Sequence, residues 1–337
     1  MNTQVPSDGG PTRDPEVVAL CGGVGGAKLA LGLSHILEGE RLMIVANTGD
    51  DFEHLGLHIS PDVDTVLYTL ADLANPETGW GRRDETWSFM DALAQLGGET
   101  WFNLGDRDLA THVERTWRLR AGETLSEIVA DFARKFGIAA RILPMSDDPV
   151  RTRVETDEGT LAFQRYFVGL KCGPAVRGLS YEGAERATAN PALMRALASP
   201  DLRAVVICPS NPYLSVAPIL SLPGVREALA NATAPVIAVS PIVGGRAIKG
   251  PTAKIMGELG VDASAASVAA YYAGIIDGFV LDNRDLEIAG SLPVRAMVTD
   301  AVMQDLSDRE MLARVVLDFA DRLASARSRS GNGGVAQ

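Results

Sequence analysis

Cysteine is scarce in this chain: Cys21, Cys172 and Cys208 lie far apart, and no CxxC pair occurs. Neither a disulfide framework nor a zinc site is therefore suggested. Long apolar runs are missing as well. No segment approaches about 18 uninterrupted apolar residues, and no secretion signal opens the chain, so the protein is expected in the cytoplasm, away from membranes. Positive charge is in deficit, with 31 Lys and Arg against 43 Asp and Glu and a net charge of −12. Nucleic acids and anionic membrane surfaces need a basic face, so neither is expected as a partner. An anionic small molecule stays possible if a local basic pocket or a metal receives it.

What is present is an α/β composition: 46% apolar residues, 22% charged residues and 34 glycines among 337 residues. "EVVALCGGVGGAKLALGLSHIL" reads as a buried strand at 17–21, a glycine turn at 22–26 and a helix at 27–37. A second strand follows, ending near Ala46, so a βαβ unit and a parallel sheet are expected. Residues 63–137 read as mainly helical, a smaller subdomain inserted in a Rossmann-like, mostly parallel sheet. "TRVETDEGTLAFQRYFVG" reads as a hairpin turning at Glu158-Gly159, and strands return at 204–210, 235–241, 278–283 and 293–300. The ordered chain is expected over 15–326, between tails at 1–14 and 327–337. Strand ends near 46, 208, 239 and 282 run into polar residues, as where ligands gather at the carboxyl edge of a doubly wound sheet.

Three constellations carry chemistry. The glycine turn with Gly23, Gly25, Gly26 and Lys28 joins a strand to a helix, so its backbone N–H groups and the helix dipole suit a phosphate. It is no dinucleotide fingerprint, because Lys28 stands where the third glycine belongs, and GxxxxGK[ST] is absent. A turn needed only for packing is the plainer alternative. The stretch "NTGDDFEHLGLHISPDVDTVLYTL" gathers Asp50, Asp51, Asp62 and Asp64 within fifteen positions. Such crowding is unfavourable unless a lysine, an arginine, a divalent cation or solvent relieves it. Asp50 and Asp64 would suit Mg²⁺ facing a phosphate, whereas Asp64 as an ordinary helix N-cap predicts that Asp64→Asn is nearly silent. "NLGDRDLATH" places Asp106, Arg107, Asp108 and His112 where a loop enters a helix; a capped start with a local ion pair explains them equally well.

Together with SPDVDTVLYTL, GWGRRDETW, LPMSDDPVRT, LAFQRYFVG, PSNPYLSV, SPIVGGRAIKGPTAKIM and GFVLDNRD, these segments resemble the 2-phospho-L-lactate transferases of deazaflavin coenzyme F(420) biosynthesis, in order over about 16–285. The resemblance implies a Rossmann-like homodimer that needs Mg²⁺. It would move a phospho-organic acid from a guanosine diphosphate adduct to the ribityl hydroxyl of 7,8-didemethyl-8-hydroxy-5-deazariboflavin, releasing GMP. Asp50 and Asp64 match the family's metal- and deazaflavin-side aspartates, and Asp64 is the candidate acceptor of the hydroxyl proton. The glycine turn with Lys28 would face the diphosphate. Ser210, Asn211 and Pro212 would lie on the guanosine side. Asn103 stands where some members carry a lysine that holds the deazaflavin; it can donate a hydrogen bond but brings no charge.

A regulatory family that binds nucleotide sugars without turnover shares the glycine turn and the acidic loop, but not LGDRDLATH or MSDDPV. A nicotinamide dehydrogenase is the third reading, and Lys28 counts against it. Phospholactate, phosphoenolpyruvate and 3-phosphoglycerate donors are alike in charge, and no motif separates them.

Overall fold

The computed structural model describes residues 14–332 except 78 and 249, with side chains described up to Arg327. The expected tail at 1–14 lies outside the described residues apart from Asp14, as do positions 333–337. The first half of the chain forms β1 (Val17–Cys21), α1 (Gly23–Ile36), β2 (Leu42–Ala46), the hairpin β3 (Phe52–His54) and β4 (Leu57–Ile59), then α2 (Pro61–Leu70), α3 (Ser88–Gln95), α4 (Asp106–Arg120) and α5 (Leu125–Lys135). β5 (Arg141–Pro144), β6 (Arg151–Thr156), β7 (Gly159–Ala162), β8 (Val176–Glu182), α6 (Pro191–Leu197) and β9 (Ala204–Ile207) follow. The chain continues through α7 (Ala217–Leu220), α8 (Val225–Ala230), β10 (Val236–Val239), the short pair β11 (Ile242–Val243) and β12 (Arg246–Ala247), α9 (Thr252–Glu258) and α10 (Ala265–Tyr271). It closes with β13 (Gly278–Asp282), β14 (Arg295–Thr299) and α11 (Leu306–Asn332).

Seven strands form one parallel sheet in the order β14-β13-β10-β9-β1-β2-β5. Val17, Ala19 and Cys21 face a core shared with α1, α2, α5 and α11, while Val18 and Leu20 face the opposite core against α6, α8 and α10. Covered faces on both sides explain why these strands read as unbroken apolar runs. The chain winds outward from β1 in both directions, so the crevice beyond the carboxyl ends of β1 and β9 is the switch point where such folds receive ligands.

Several expectations shift. α1 begins inside the glycines, at Gly23, with extended Gly22 as its N-cap. α2 begins at Pro61, so Asp64 is an interior residue whose N–H donates to Ser60 O at 2.9 Å, and the N-cap alternative falls. Within the helical stretch, α2 and α5 belong to the main core; the separate apolar cluster is that of Ile59, Met90 and Leu104. The hairpin turns one residue earlier, at Asp157-Glu158, with Thr156 opposite Gly159. β8 pairs with β6 to make a third antiparallel strand that the sequence did not announce. α11 runs past the expected boundary at 326, and Arg327 pairs with Asp277.

Candidate active site

A cavity of about 690 Å³ opens at the carboxyl edge of the sheet. Of the residues singled out by sequence, Gly23, Gly25, Lys28, Asp50, Asp64, Asn103, Ser210 and Asn211 line it. Gly26 and Pro212 do not. Gly26 packs where a Cβ would meet Ser210 Oγ at 2.3 Å and Cys21 Sγ at 2.9 Å, and Pro212 opens a buried π-helical turn, Pro212–Val216.

The glycine turn is built by close packing and by two side chains from elsewhere. A Cβ on Gly25 would meet Pro209 O at 2.5 Å, so the turn sits directly on the loop after β9. Ser210 Oγ accepts from Gly22 N (3.1 Å) and donates to Gly22 O (2.8 Å). Gly23 is in the left-handed region (φ 62°), and its N–H donates to Asp62 Oδ1 at 2.8 Å. Part of the anion-binding capacity of the α1 N-terminus is thus already used by a carboxylate of the same chain. Lys28, one turn on, donates from Nζ to Met303 O at 2.8 Å at the cavity wall. Asn211 caps its own turn, accepting from Tyr213 N and Leu214 N, and donates to Thr252 Oγ1.

The four aspartates fall into different electrostatic settings. Asp51 is held by His58 Nε2 at 3.1 Å and Ser60 Oγ at 2.9 Å. Asp64 forms a two-pronged pair with Arg115, which is fully buried and reaches it from α4 with Nη1 at 3.1 Å and Nη2 closer still. Burial raises the Asp64 pKa, and Arg115 and His112 pull it back. Asp108 accepts from Tyr68 OH at 2.6 Å and lies 3.3 Å from His112 Nε2. His112 Nδ1 is 3.7 Å from Asp64. Asp64, Asp108 and His112 offer ligand atoms within 4.8 Å of one another, but the Arg115 guanidinium already stands among them.

Asp50 and Asp62 are held by neutral donors. Asn47 Nδ2 donates to Asp62 at 2.9 Å, Ser215 adds a further bond, and Thr152 Oγ1 lies 3.4 Å from Asp50. Burial, then the neighbouring Asp62, push Asp50 well above the ordinary carboxylate range. Burial pushes Asp62 up to about 6. Two buried carboxylates with neutral partners fit a hard, oxygen-seeking divalent cation such as Mg²⁺; the cluster around Arg115 does not, since it carries its own cation.

Asp106 and Glu85 are structural. Asp106 accepts from Ser88 N and Phe89 N at the start of α3, and Glu85 accepts from Arg107 N and Asp108 N at the start of α4. Sequence reasoning missed Tyr68, Arg115 and the role of Asp62. The signal for Arg115 was present: positions 108, 112 and 115 fall on one face of α4.

The sequence pattern of the family described as 2-phospho-L-lactate transferase CofD matches residues 17–318. A Streptomyces griseus protein named phosphoenolpyruvate transferase is 40% identical over 316 residues, covering 91% of this chain and 99% of its own. A Methanosarcina mazei protein named 2-phospho-L-lactate transferase is 40% identical over 304 residues, covering 89% and 99%. A crystal structure of a UPF0052 family member from Bacillus halodurans superposes with a TM-score of 0.59 at 14% identity, covering 90% of this chain and 99% of that one, which speaks to the fold alone.

Proposed function

The chain belongs to the 2-phospho-L-lactate transferase CofD family, and from that premise we propose that it moves a phospho-organic acid from its guanosine diphosphate adduct to the ribityl hydroxyl of the deazaflavin, releasing GMP. The observation that carries this reading is one of position. The match over 17–318 takes in every residue that lines the cavity, from Gly22 to Met303.

In the proposed step the ribityl oxygen attacks the phosphorus that bears the organic acid. A new P–O bond forms, the P–O bond to GMP breaks, and GMP leaves with the electron pair while the hydroxyl proton passes to a base. The chain's own contribution is positional and electrostatic. Lys28 and the N–H groups of the glycine turn receive the diphosphate, with Ser210 and Asn211 on the guanosine side. Asn103 donates to the acceptor. Asp64, oriented by Arg115 and His112, lines the cavity as the candidate proton acceptor. Mg²⁺ is the proposed cofactor; Asp50, with Asp62 beside it, would hold it, Asp64 being already paired with Arg115. When bound, the ion offsets the charge on phosphate oxygens.

The experiment offers the guanylylated adducts of phospholactate, phosphoenolpyruvate and 3-phosphoglycerate with the deazaflavin and follows GMP release and product mass. Identity is 40% to relatives of both names, so the product mass decides the donor. No GMP from any adduct would favour the nucleotide-sugar-binding alternative.

A further inference from the structure

The GFVLDNRD segment takes no part in the chemistry above, yet its polar side chains are spent on holding other loops. Asp282 closes β13 and is only 3% exposed. Its Oδ2 accepts from Ala301 N at 2.9 Å and its Oδ1 from Arg284 N at 3.1 Å. A carboxylate so deeply buried is costly unless both oxygens are matched, and here backbone N–H groups match them. Next to it, Asn283 Nδ2 donates to Asp300 Oδ1 at 2.7 Å. Asp285 Oδ2 accepts from Gly244 N at 2.9 Å, in the turn between β11 and β12. The bonds to Asp300 and Ala301 fasten the start of a strap, residues 300–305, that leads from β14 to α11.

The strap is a piece of the cavity wall, with Ala301 and Met303 lining it. Its far end is fastened too: Asp308 Oδ2 accepts from Gln304 N at 2.8 Å and from Asp305 N at 3.3 Å. Between the two fastenings, Met303 O accepts from Lys28 Nζ at 2.8 Å. One turn beyond Lys28, α1 meets α11 so closely that a Cβ on Gly32 would run into Arg309 O. The strap thus carries the chain from the outermost strand, β14, to the helix that follows the central strand β1.

We propose that Asp282 is a positioning residue: by fixing the strap it fixes the Met303 carbonyl, and so sets the Lys28 ammonium where the diphosphate arrives. This rests on the reading of Lys28 given above. A lysine has a long flexible stem and loses much rotamer freedom when a ligand immobilises it. Held on a carbonyl beforehand, it has lost that freedom already, and binding is tighter by the difference. An ammonium carries three N–H donors and need not release the carbonyl to meet a phosphate oxygen. The carbonyl serves only if it is itself held still, and the buried Asp282 holds it from two residues away.

The test is a double-mutant cycle read by GDP calorimetry in Mg²⁺ buffer: wild type, Asp282→Ala, Lys28→Ala and the double variant, with circular dichroism as the folding control. Asp282→Ala should weaken GDP binding on the order of three- to tenfold, the share that placing a lysine in advance contributes. In the Lys28→Ala background the same change should leave affinity within about twofold, because the residue it serves is gone. An aspartate with a merely structural role costs the same factor in both backgrounds, and that result overturns the proposal. So does a folded Asp282→Ala that binds GDP as tightly as wild type. Where Asp282→Ala does not fold, Asp282→Asn goes through the same cycle, since it keeps one accepting oxygen for two N–H groups. Wild-type GDP affinity in Lys28→Ala, or no GDP binding at all, overturns the diphosphate reading and the tether together. Failure of the tether alone leaves the Lys28→Ala loss in place.

Discussion

At the scale of single residues, the acidic loop is sorted by its partners. Arg115 supplies the positive charge for Asp64 across 51 positions of sequence. Asp64→Asn therefore leaves a fully buried guanidinium without its carboxylate, a loss on the order of 3 kcal/mol in unfolding free energy, and the silence expected of an N-cap is replaced by instability as well as lost turnover. Denaturant unfolding measures the first and GMP release the second. The double variant Asp64→Leu/Arg115→Met should recover most of the stability and none of the activity. Asp62 makes a pH prediction. Its pKa lies near 6 against an ordinary 3.8, so the native state binds more protons than the unfolded one between those values. This group's contribution therefore falls as pH rises through that window and stays low above it. The stability of Asp62→Asn relative to wild type should grow by roughly 2 kcal/mol from pH 4 to 7 in EDTA, and by less in saturating Mg²⁺. A flat difference would show that Asp62 titrates normally. Lys28→Ala should keep the fold and lower GDP affinity on the order of ten- to a hundredfold by calorimetry, as loss of a charge-assisted contact predicts.

At the scale of elements, the glycine turn is where β1, α1 and the loop after β9 meet at van der Waals distance. Gly25→Ala would place a methyl 2.5 Å from Pro209 O, and backbone is the obstacle. The turn must move away from the β9 loop, at a cost of roughly 1–3 kcal/mol in stability. Nucleotide affinity should fall with it, since the same turn lines the cavity. Thermal melts with and without GDP measure both. A melt and a GDP shift equal to wild type would mean that the contact is loose in solution.

At the scale of the whole molecule, Asp50, Asp62 and the Arg115-paired Asp64 line one cavity, so cation and nucleotide binding should be felt globally. Saturating GDP with Mg²⁺ stabilises the fold by mass action, about 2.7 kcal/mol at a hundredfold excess over Kd. ADP should give less, if the Ser210–Asn211 side reads guanine. Equal shifts in a melting experiment would remove the guanosine preference. The homodimer implied by the resemblance is a matter for light scattering.

What sequence alone determined is local or repeated along the chain. Buried parallel strands are short apolar runs, so β1, β2, β9, β10 and β13 were legible, each within a few residues, and so was the glycine turn after the first of them. The family was legible too, because its motifs run in order through the chain. The tertiary structure decided the rest. β8 was hidden by a glycine and a mixed polar pattern, and it becomes a strand only because β6 offers it an edge. Whether Asp64 caps a helix or pairs with Arg115 depends on where α2 begins and on how α4 crosses it. The raised pKa values come from burial first, with Asp62 then adding to the rise at Asp50 and Asp51 to the rise at Asp62. The strap joins positions 282 and 28, which no periodicity connects. Contacts between distant segments and the desolvation of a charge are properties of the packed chain, and a local pattern of residues does not encode them.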